Sequence, residues 1–297
     1  MRRWYVLAAV AALTTGCVLL SDLSGLTGGD APDASPGGDA TADALSDAPD
    51  VQGDGDADPS FVDAAFCVNS DATFCDDFDT TDPLSSLWSD VSATFGGVIA
   101  KDRSDAALSA PNTLLSRIPE TPDAAVAAQR VAVVRKALKG PFTHVELALS
   151  ILVEVADPIS ARSVLAVQIV ANDDDAGVAE HELYFNLSGS DVGMTALFAG
   201  GNAKFSDGGN AAQGFPQLLH APVPGKWSRL TIAIDSNPDG GPSALVVTLD
   251  GAIVLNDMLA AGWTFGNTTS FNIGAFFPYL SLATWQLRYD NVELRTR

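Results

Sequence analysis

From His144 to Arg297, apolar and polar residues alternate with a period of two in one segment after another. In HVELALSILVEV, Val145, Leu147, Leu149, Ile151, Val153 and Val155 fall on one face. His144, Glu146, Ala148, Ser150, Leu152 and Glu154 fall on the other. Successive side chains of a strand point to opposite sides, so this is a long strand with one buried face. SVLAVQIVA and HELYFNL follow as further strands, separated by the turn-rich NDDDAG. WSRLTIAID places Leu230, Ile232 and Ile234 together. Beyond the turn SNPDGGPS, ALVVTLDG and AIVLND form a hairpin around Asp250–Gly251, a pair suited to a two-residue turn. SFNIGAFF and TWQLRYDNVELR close the chain. Only TPDAAVAAQRVAVVRKAL, Thr121 to Leu138, has helix-friendly composition, and its end reads equally as strand. The pattern predicts an all-β fold, an antiparallel two-sheet sandwich spanning residues 61–297.

The first sixty residues differ in kind. Arg2 and Arg3 precede an apolar run from Trp4 to Leu13. A bilayer span needs roughly 20 apolar residues, so this run reads as an export signal. LTTGC, ending at Cys17, resembles the lipobox of bacterial lipoproteins, although Thr14 stands where that motif usually has leucine. The resemblance implies a signal over residues 1–17, lipid on Cys17 and a membrane partner reached through that anchor. It implies a place in the bacterial cell envelope, and Val18, which is no aspartate-type retention signal, points to the outer membrane. Residues 18–60 are mostly Asp, Ala, Gly, Pro and Ser, a composition that predicts a disordered acidic tether. DGDAD at Asp54–Asp58 begins like a calcium loop, but Pro59 and Ala65 stand where an EF-hand has glycine and glutamate.

The formal net charge of −21 is concentrated in that stretch, since no Lys or Arg occurs between Cys17 and Lys101. No basic stripe is left to neutralise phosphates, which excludes nucleic acid as a partner. Of the three cysteines, Cys67 and Cys75 remain as a pair once Cys17 carries lipid. Zinc would need about four ligands and a redox pair the C-x-x-C spacing, so a structural disulfide is expected.

GKWSRLTIAID…ALVVTLDG resembles the centre of concanavalin A-like lectin/glucanase domains, the LamG-like jelly rolls. CDDFDTTDPLSSLW, with Phe78, Leu84 and Trp88, is similar to their first strand, and FNIGAFF…WQLRYDNVEL to their closing pair. The likeness covers most of Phe74 to Leu294 and implies a fold, not an activity.

Catalytic patterns of such sandwiches are incomplete in this sequence. Glycosidases of this fold carry E-x-D-x-x-E on one strand; Glu146 and Glu154 instead stand roughly 27 Å apart by strand rise. In EHE, Glu180 and Glu182 share a face and His181 takes the other. Alginate-lyase jelly rolls use an Arg/Gln/His/Tyr set, of which Gln168 alone is placed similarly, without the paired histidine or Y-x-K. G-x-S-x-G and H-E-x-x-H are absent, and His144, His181 and His220 are scattered. The expectation is therefore a surface-anchored noncatalytic module for polysaccharide. The alternatives are a divergent carbohydrate-active enzyme and a ligand-free envelope protein. Tyr184 and Asn186 share a face of HELYFNL, and Gln168 on a neighbouring strand could join them at a sugar-binding surface.

No cofactor is required by this reading, but one cation enters it. Asp290 has the strand parity of Val292 and Leu294 and would point inward unless a bulge intervenes. Neighbouring first and last strands would bring Asp76, Asp77 or Asp79 beside it, a set suited to structural calcium. In the competing reading Asp290 accepts from backbone amides or Arg288, and the acids of DDFD are solvated.

Overall fold

The computed structural model describes residues 66–297 apart from 106, 121–129, 157–162, 173–179, 190–194, 205–209, 215–221 and 280–282. The expected signal, Cys17, the expected tether and His220 lie outside the described residues. The first strands are β1 (Phe74–Asp76), β2 (Asp90–Ala93), β3 (Val98–Arg103), β4 (Asn112–Ile118) and β5 (Val131–Lys139). The middle ones are β6 (His144–Val155), β7 (Ser163–Asn172), β8 (Glu180–Gly189), β9 (Thr195–Lys204) and β10 (Asn210–Gly214). The last are β11 (Trp227–Asp235), β12 (Ser243–Leu249), β13 (Ala252–Leu259), β14 (Thr268–Tyr279) and β15 (Trp285–Thr296). The first sheet runs β13-β12-β11-β6-β15-β4-β3, with β1 added against β15. The second runs β10-β9-β8-β7-β14-β5-β2.

The alternating pattern explains the layering. Val145, Leu147, Leu149, Ile151 and Val153 of β6 face the core and are buried. Val155, assigned to that face by its parity, is instead exposed, where the register of β6 against β15 shifts. The other side of β6 is covered as well, since Ala148, Ser150 and Leu152 are buried. Residues 66–71 lie over that side: Phe66 packs under the Arg229 guanidinium at 5.4 Å, and the Ser70 hydroxyl donates to Glu293 at 2.8 Å. β12 and β13 meet at Asp250–Gly251 with φ of 51° and 79°, the two-residue turn expected there. The helix-friendly run ends as strand β5, and its residues 121–129 lie outside the description.

The two sheets are tied by hydrogen bonds as well as by packing. The register of β14 against β7 shifts after Ile273, which frees backbone groups from the ladder. Tyr289 of the first sheet donates its hydroxyl towards the carbonyls of Ala166 and Gly274, each at 3.1 Å. Ser116 donates to the Ala132 carbonyl at 2.6 Å and accepts from the Ala275 amide at 2.7 Å. Polar side chains in an apolar core thus satisfy backbone groups that the irregular strand leaves unpaired.

The N-terminal edge is organised by Asp76. Its buried carboxylate accepts from the Trp88 indole at 2.7 Å and the Phe78 amide at 2.9 Å. Trp88 packs edge-on to Phe74 and parallel to Phe78, as the N-terminal motif implied. Cys67 and Cys75 are joined in a disulfide that holds the 66–71 strap to β1. Closing a loop this short stabilises by about 2–3 kcal/mol in the chain-entropy model. Replacing both cysteines by serine is therefore expected to lower unfolding free energy by about that amount. Chemical denaturation checks it, and an unchanged midpoint would show that the strap is held by its other contacts.

Candidate functional site

The outer face of the second sheet carries a polar row that local sequence reveals only in part. Asp90 of β2 pairs with Arg135 of β5, Arg135 with Asn272 of β14, and Asn272 with Gln168 of β7. Gln168 then pairs with Tyr184 of β8, Tyr184 with Gly200 of β9, and Gly200 with Gly214 of β10. Residues opposite one another in a sheet share a face, so one line crosses all seven strands. Its neighbours in sequence fix which face it is. Gln168 lies between buried Val167 and Ile169, Tyr184 between Leu183 and Phe185, and Asn272 between Phe271 and Ile273. Arg135, Asn272, Gln168 and Tyr184 span three strand spacings, about 14 Å. At Gly200 and Gly214 the row carries no side chain.

The row is linked and half-buried. Asn272 donates its amide to Gln168 at 2.8 Å, and Gln168 donates to the carboxylate of Glu182. The Arg135 Nε and the Asn186 Oδ1 are buried atoms with no hydrogen-bond partner among the described residues. A buried polar atom without a partner is costly, so both are poised for a polar ligand. Gln168, Tyr184 and Asn186, expected from the sequence to line one surface, lie on this face, with Asn186 opposite Leu165 beyond a register shift. Arg135 and Asn272 were missed. Arg135 sits in the helix-friendly run, and Asn272 is a single amide inside an apolar strand. A polar residue flanked by apolar ones in a central strand is the local signal that Asn272 gives, and Arg135, followed by Lys136, lacks even that.

The other candidate acids and histidines lie elsewhere. Glu146 pairs with Arg295 at 3.0 Å, while Glu154 pairs with Arg288 at 2.7 Å. His144 bonds Asp235 at 2.6 Å. His181 faces the core beside Trp263, and burial pushes its imidazole below the ordinary range.

The carboxylates near β1 each meet their own donors. Asp77 accepts from the Cys67 amide at 3.4 Å and the Asp79 amide at 3.3 Å, and Asp79 from the Asn112 amide at 2.9 Å. Asp76 and Asp77 are buried, not solvated. Asp290 pairs with Ser150 on the outer side of β6, because the register shifts between Asp290 and Glu293 with Asn291 at φ 50°. The bulge turns it away from the side shared by Val292 and Leu294. It accepts from the amides of Leu108, Ser109 and Asn291 and from the Ser109 hydroxyl, at 2.7–3.0 Å. Arg288 is engaged by Glu154 and Asp102 instead. Among the described residues, no three His, Cys, Asp or Glu side chains are grouped to hold a metal ion.

Burial pushes the Asp290 carboxyl up to about 6 from 3.8, against the lowering effect of those donors. A folded value above the unfolded one gives stability that is complete below about pH 4 and is lost as pH rises through about 6. The difference corresponds to about 3 kcal/mol. Wild type minus Asp290→Asn should therefore lose about that much unfolding free energy between pH 4 and pH 7. The lost hydrogen bonds add an offset that does not vary with pH, so a flat difference would contradict the raised value. Melts with calcium and with chelator test the calcium reading of the same carboxylates.

No family model matches the chain, and no curated protein matches it in sequence. Solved structures do resemble it. An endo-β-1,4-glucuronan lyase from the fungus Trichoderma reesei is 14% identical, with 76% of this chain and 96% of that chain covered and a TM-score of 0.53. A variant of an alginate lyase, solved with an alginate trisaccharide, is 13% identical, covering 76% and 98% at a TM-score of 0.51. The fold is a concanavalin A-like jelly roll. At such identities the likeness establishes architecture alone.

Proposed function

We propose that the protein is a polysaccharide lyase, cleaving a uronate-containing chain on the outer face of the second sheet. The observation that carries this reading is the register row Arg135–Asn272–Gln168–Tyr184. A guanidinium and two amides suit a carboxylate, and a phenol stands beside them. Elimination on a uronate needs that combination. The proton α to the carboxylate leaves C5 and the bond from C4 to its glycosidic oxygen breaks. A C4–C5 double bond forms, and the departing oxygen takes a proton. The carboxylate opposes the first step until its charge is stabilised. Arg135, Asn272 and Gln168 would supply that stabilisation, and Tyr184 would move the proton. Glu182 holds the Gln168 amide nitrogen, which fixes its oxygen toward Asn272.

That the structural neighbours act on glucuronan and alginate supports this substrate class. A second reading keeps the same face and ligand without chemistry. It is favoured by the lack of a histidine on this face among the described residues, with Val170 two places after Gln168. Incubation with polyglucuronate and alginate decides between them. Cleavage appears as ultraviolet absorbance of unsaturated chain ends. Retention on immobilised polymer without such ends would establish the binding module, and neither result would remove both.

The anchor is part of the proposal. Lipid on Cys17, motivated by the signal and LTTGC, would hold the domain at the outer membrane with its face available to polymer. Wild type should partition into detergent and Cys17→Ala should stay aqueous. Equal partitioning would remove the anchor.

A further inference from the structure

Among the described residues Arg130 is the second-largest of the fully buried side chains, and it is 1% exposed. Its Nε, Nη1 and Nη2 all lack a hydrogen-bond partner among the described residues. It stands one residue before β5, and it has the parity of Ala132 and Val134, whose side chains enter the core. The Ser116–Ala132 hydrogen bond at 2.6 Å fixes β4 opposite β5 across the sandwich. Counted two residues further along both strands towards their connection, Ile118 would fall opposite Arg130. Ile118 is the register partner of Trp285. Trp285 is 0% exposed, and its indole Nε1 also has no partner among the described residues.

The end of the core therefore holds four buried nitrogens that can only donate, with none of their bonds made. Burial lowers the Arg130 pKa, and no charge among the described residues acts against it. A guanidinium in this setting is too costly to leave uncompensated. A water molecule would offer lone pairs but no charge. A dianion would leave one negative charge in excess. We infer that a small monovalent anion, chloride in the first instance, binds between the sheets in the space shared by Arg130 and Trp285. The site lies in the core and not on the outer face that carries the polar row, so its role is structural and independent of the proposed reaction.

The test uses the intact protein melted at constant ionic strength while chloride replaces gluconate. The melting temperature should rise with chloride. At ten times the Kd, mass action shifts the unfolding equilibrium about tenfold. Arg130→Met keeps most of the side-chain volume and removes the charge, so its melt should not respond. Trp285→Phe keeps an aromatic ring and loses one donor, so several-fold more chloride should be needed for the same rise. Should Arg130→Met fail to fold, crystals of wild type in bromide provide a second measurement. An anomalous peak beside the Arg130 guanidinium supports the site. Equal melts in chloride and gluconate with no bromide peak overturn it, as does an equal chloride response in folded Arg130→Met.

Discussion

Tyr184→Phe is expected to lower turnover of a uronate polysaccharide by about 10²–10⁴-fold, the usual contribution of a positioned acid–base group. Binding should change only a few-fold, because the ring and its place on β8 remain. The expectation rests on the row itself. Among Arg135, Asn272, Gln168 and Tyr184, the phenol is the one group whose oxygen can both give and take a proton. An arginine is always charged, and an amide does not titrate. Arg135→Ala should act differently. It removes a charge that faces the substrate carboxylate in the ground state and more strongly as C5 loses its proton, so KM should rise and kcat should fall together. The measurement is initial rate against polymer concentration, read as unsaturated ends, beside retention on immobilised polymer. A Tyr184→Phe protein with wild-type turnover would take the proton transfer away from Tyr184. Polymer retention that is lost in Arg135→Ala, with no cleavage by wild type, would establish a noncatalytic module on the same face.

What the sequence revealed follows from what each pattern measures. The alternation in β6 and β11 exposed the core face, because hydrophobic periodicity is a local consequence of burial. Asp250–Gly251 marked its hairpin, because a two-residue turn demands positive φ from two adjacent residues. The burial of Ser150 was not legible, since the Arg229 guanidinium that reaches its hydroxyl and the Phe66 ring under that guanidinium come from distant parts of the chain. Parity set Asp290 with Val292 and Leu294 only if no bulge intervened, and the bulge at Asn291, which no local pattern records, turns it to the other side. The candidate site was half visible. Tyr184 and Gln168 sit on successive strands, whereas Arg135 and Asn272 arrive through β14 inserted between β5 and β7. That crossover sets residues 135, 272 and 168 side by side, and no local pattern records it.

The same crossover makes Gly274, among the described glycines, the position where one methyl group should cost most. Gly274 has φ of +137°, a conformation that residues with a Cβ rarely adopt. A Cβ built there would lie 2.2 Å from the Ala132 carbonyl oxygen and 2.8 Å from the Val133 Cα. Both are backbone atoms of the paired strand β5, so no side chain can swing aside. Relief would require β14 to move from β5, but neighbouring hydrogen bonds hold both. The Gly274 carbonyl accepts from Tyr289, the Ala275 amide donates to Ser116, and Ser116 also donates to the Ala132 carbonyl. Moving β14 would strand buried polar atoms from both sheets. Backbone strain and overpacking each cost about 1–3 kcal/mol, so Gly274→Ala is expected to lose about 3–5 kcal/mol in all. For a domain of this size that is a fall of roughly 10 °C or more in melting temperature. Tyr289→Phe, which removes one hydroxyl and leaves the carbonyls of Ala166 and Gly274 short of a donor, should cost about 1–3 kcal/mol. Thermal melts of the two variants and the double variant measure the coupling. The effects should be less than additive, because strand movement forced by the methyl group already disturbs the Tyr289 bonds. A Gly274→Ala protein melting with wild type would show that β14 shifts freely against β5. The frame that holds Asn272 between Arg135 and Gln168 would then be looser than its hydrogen bonds imply.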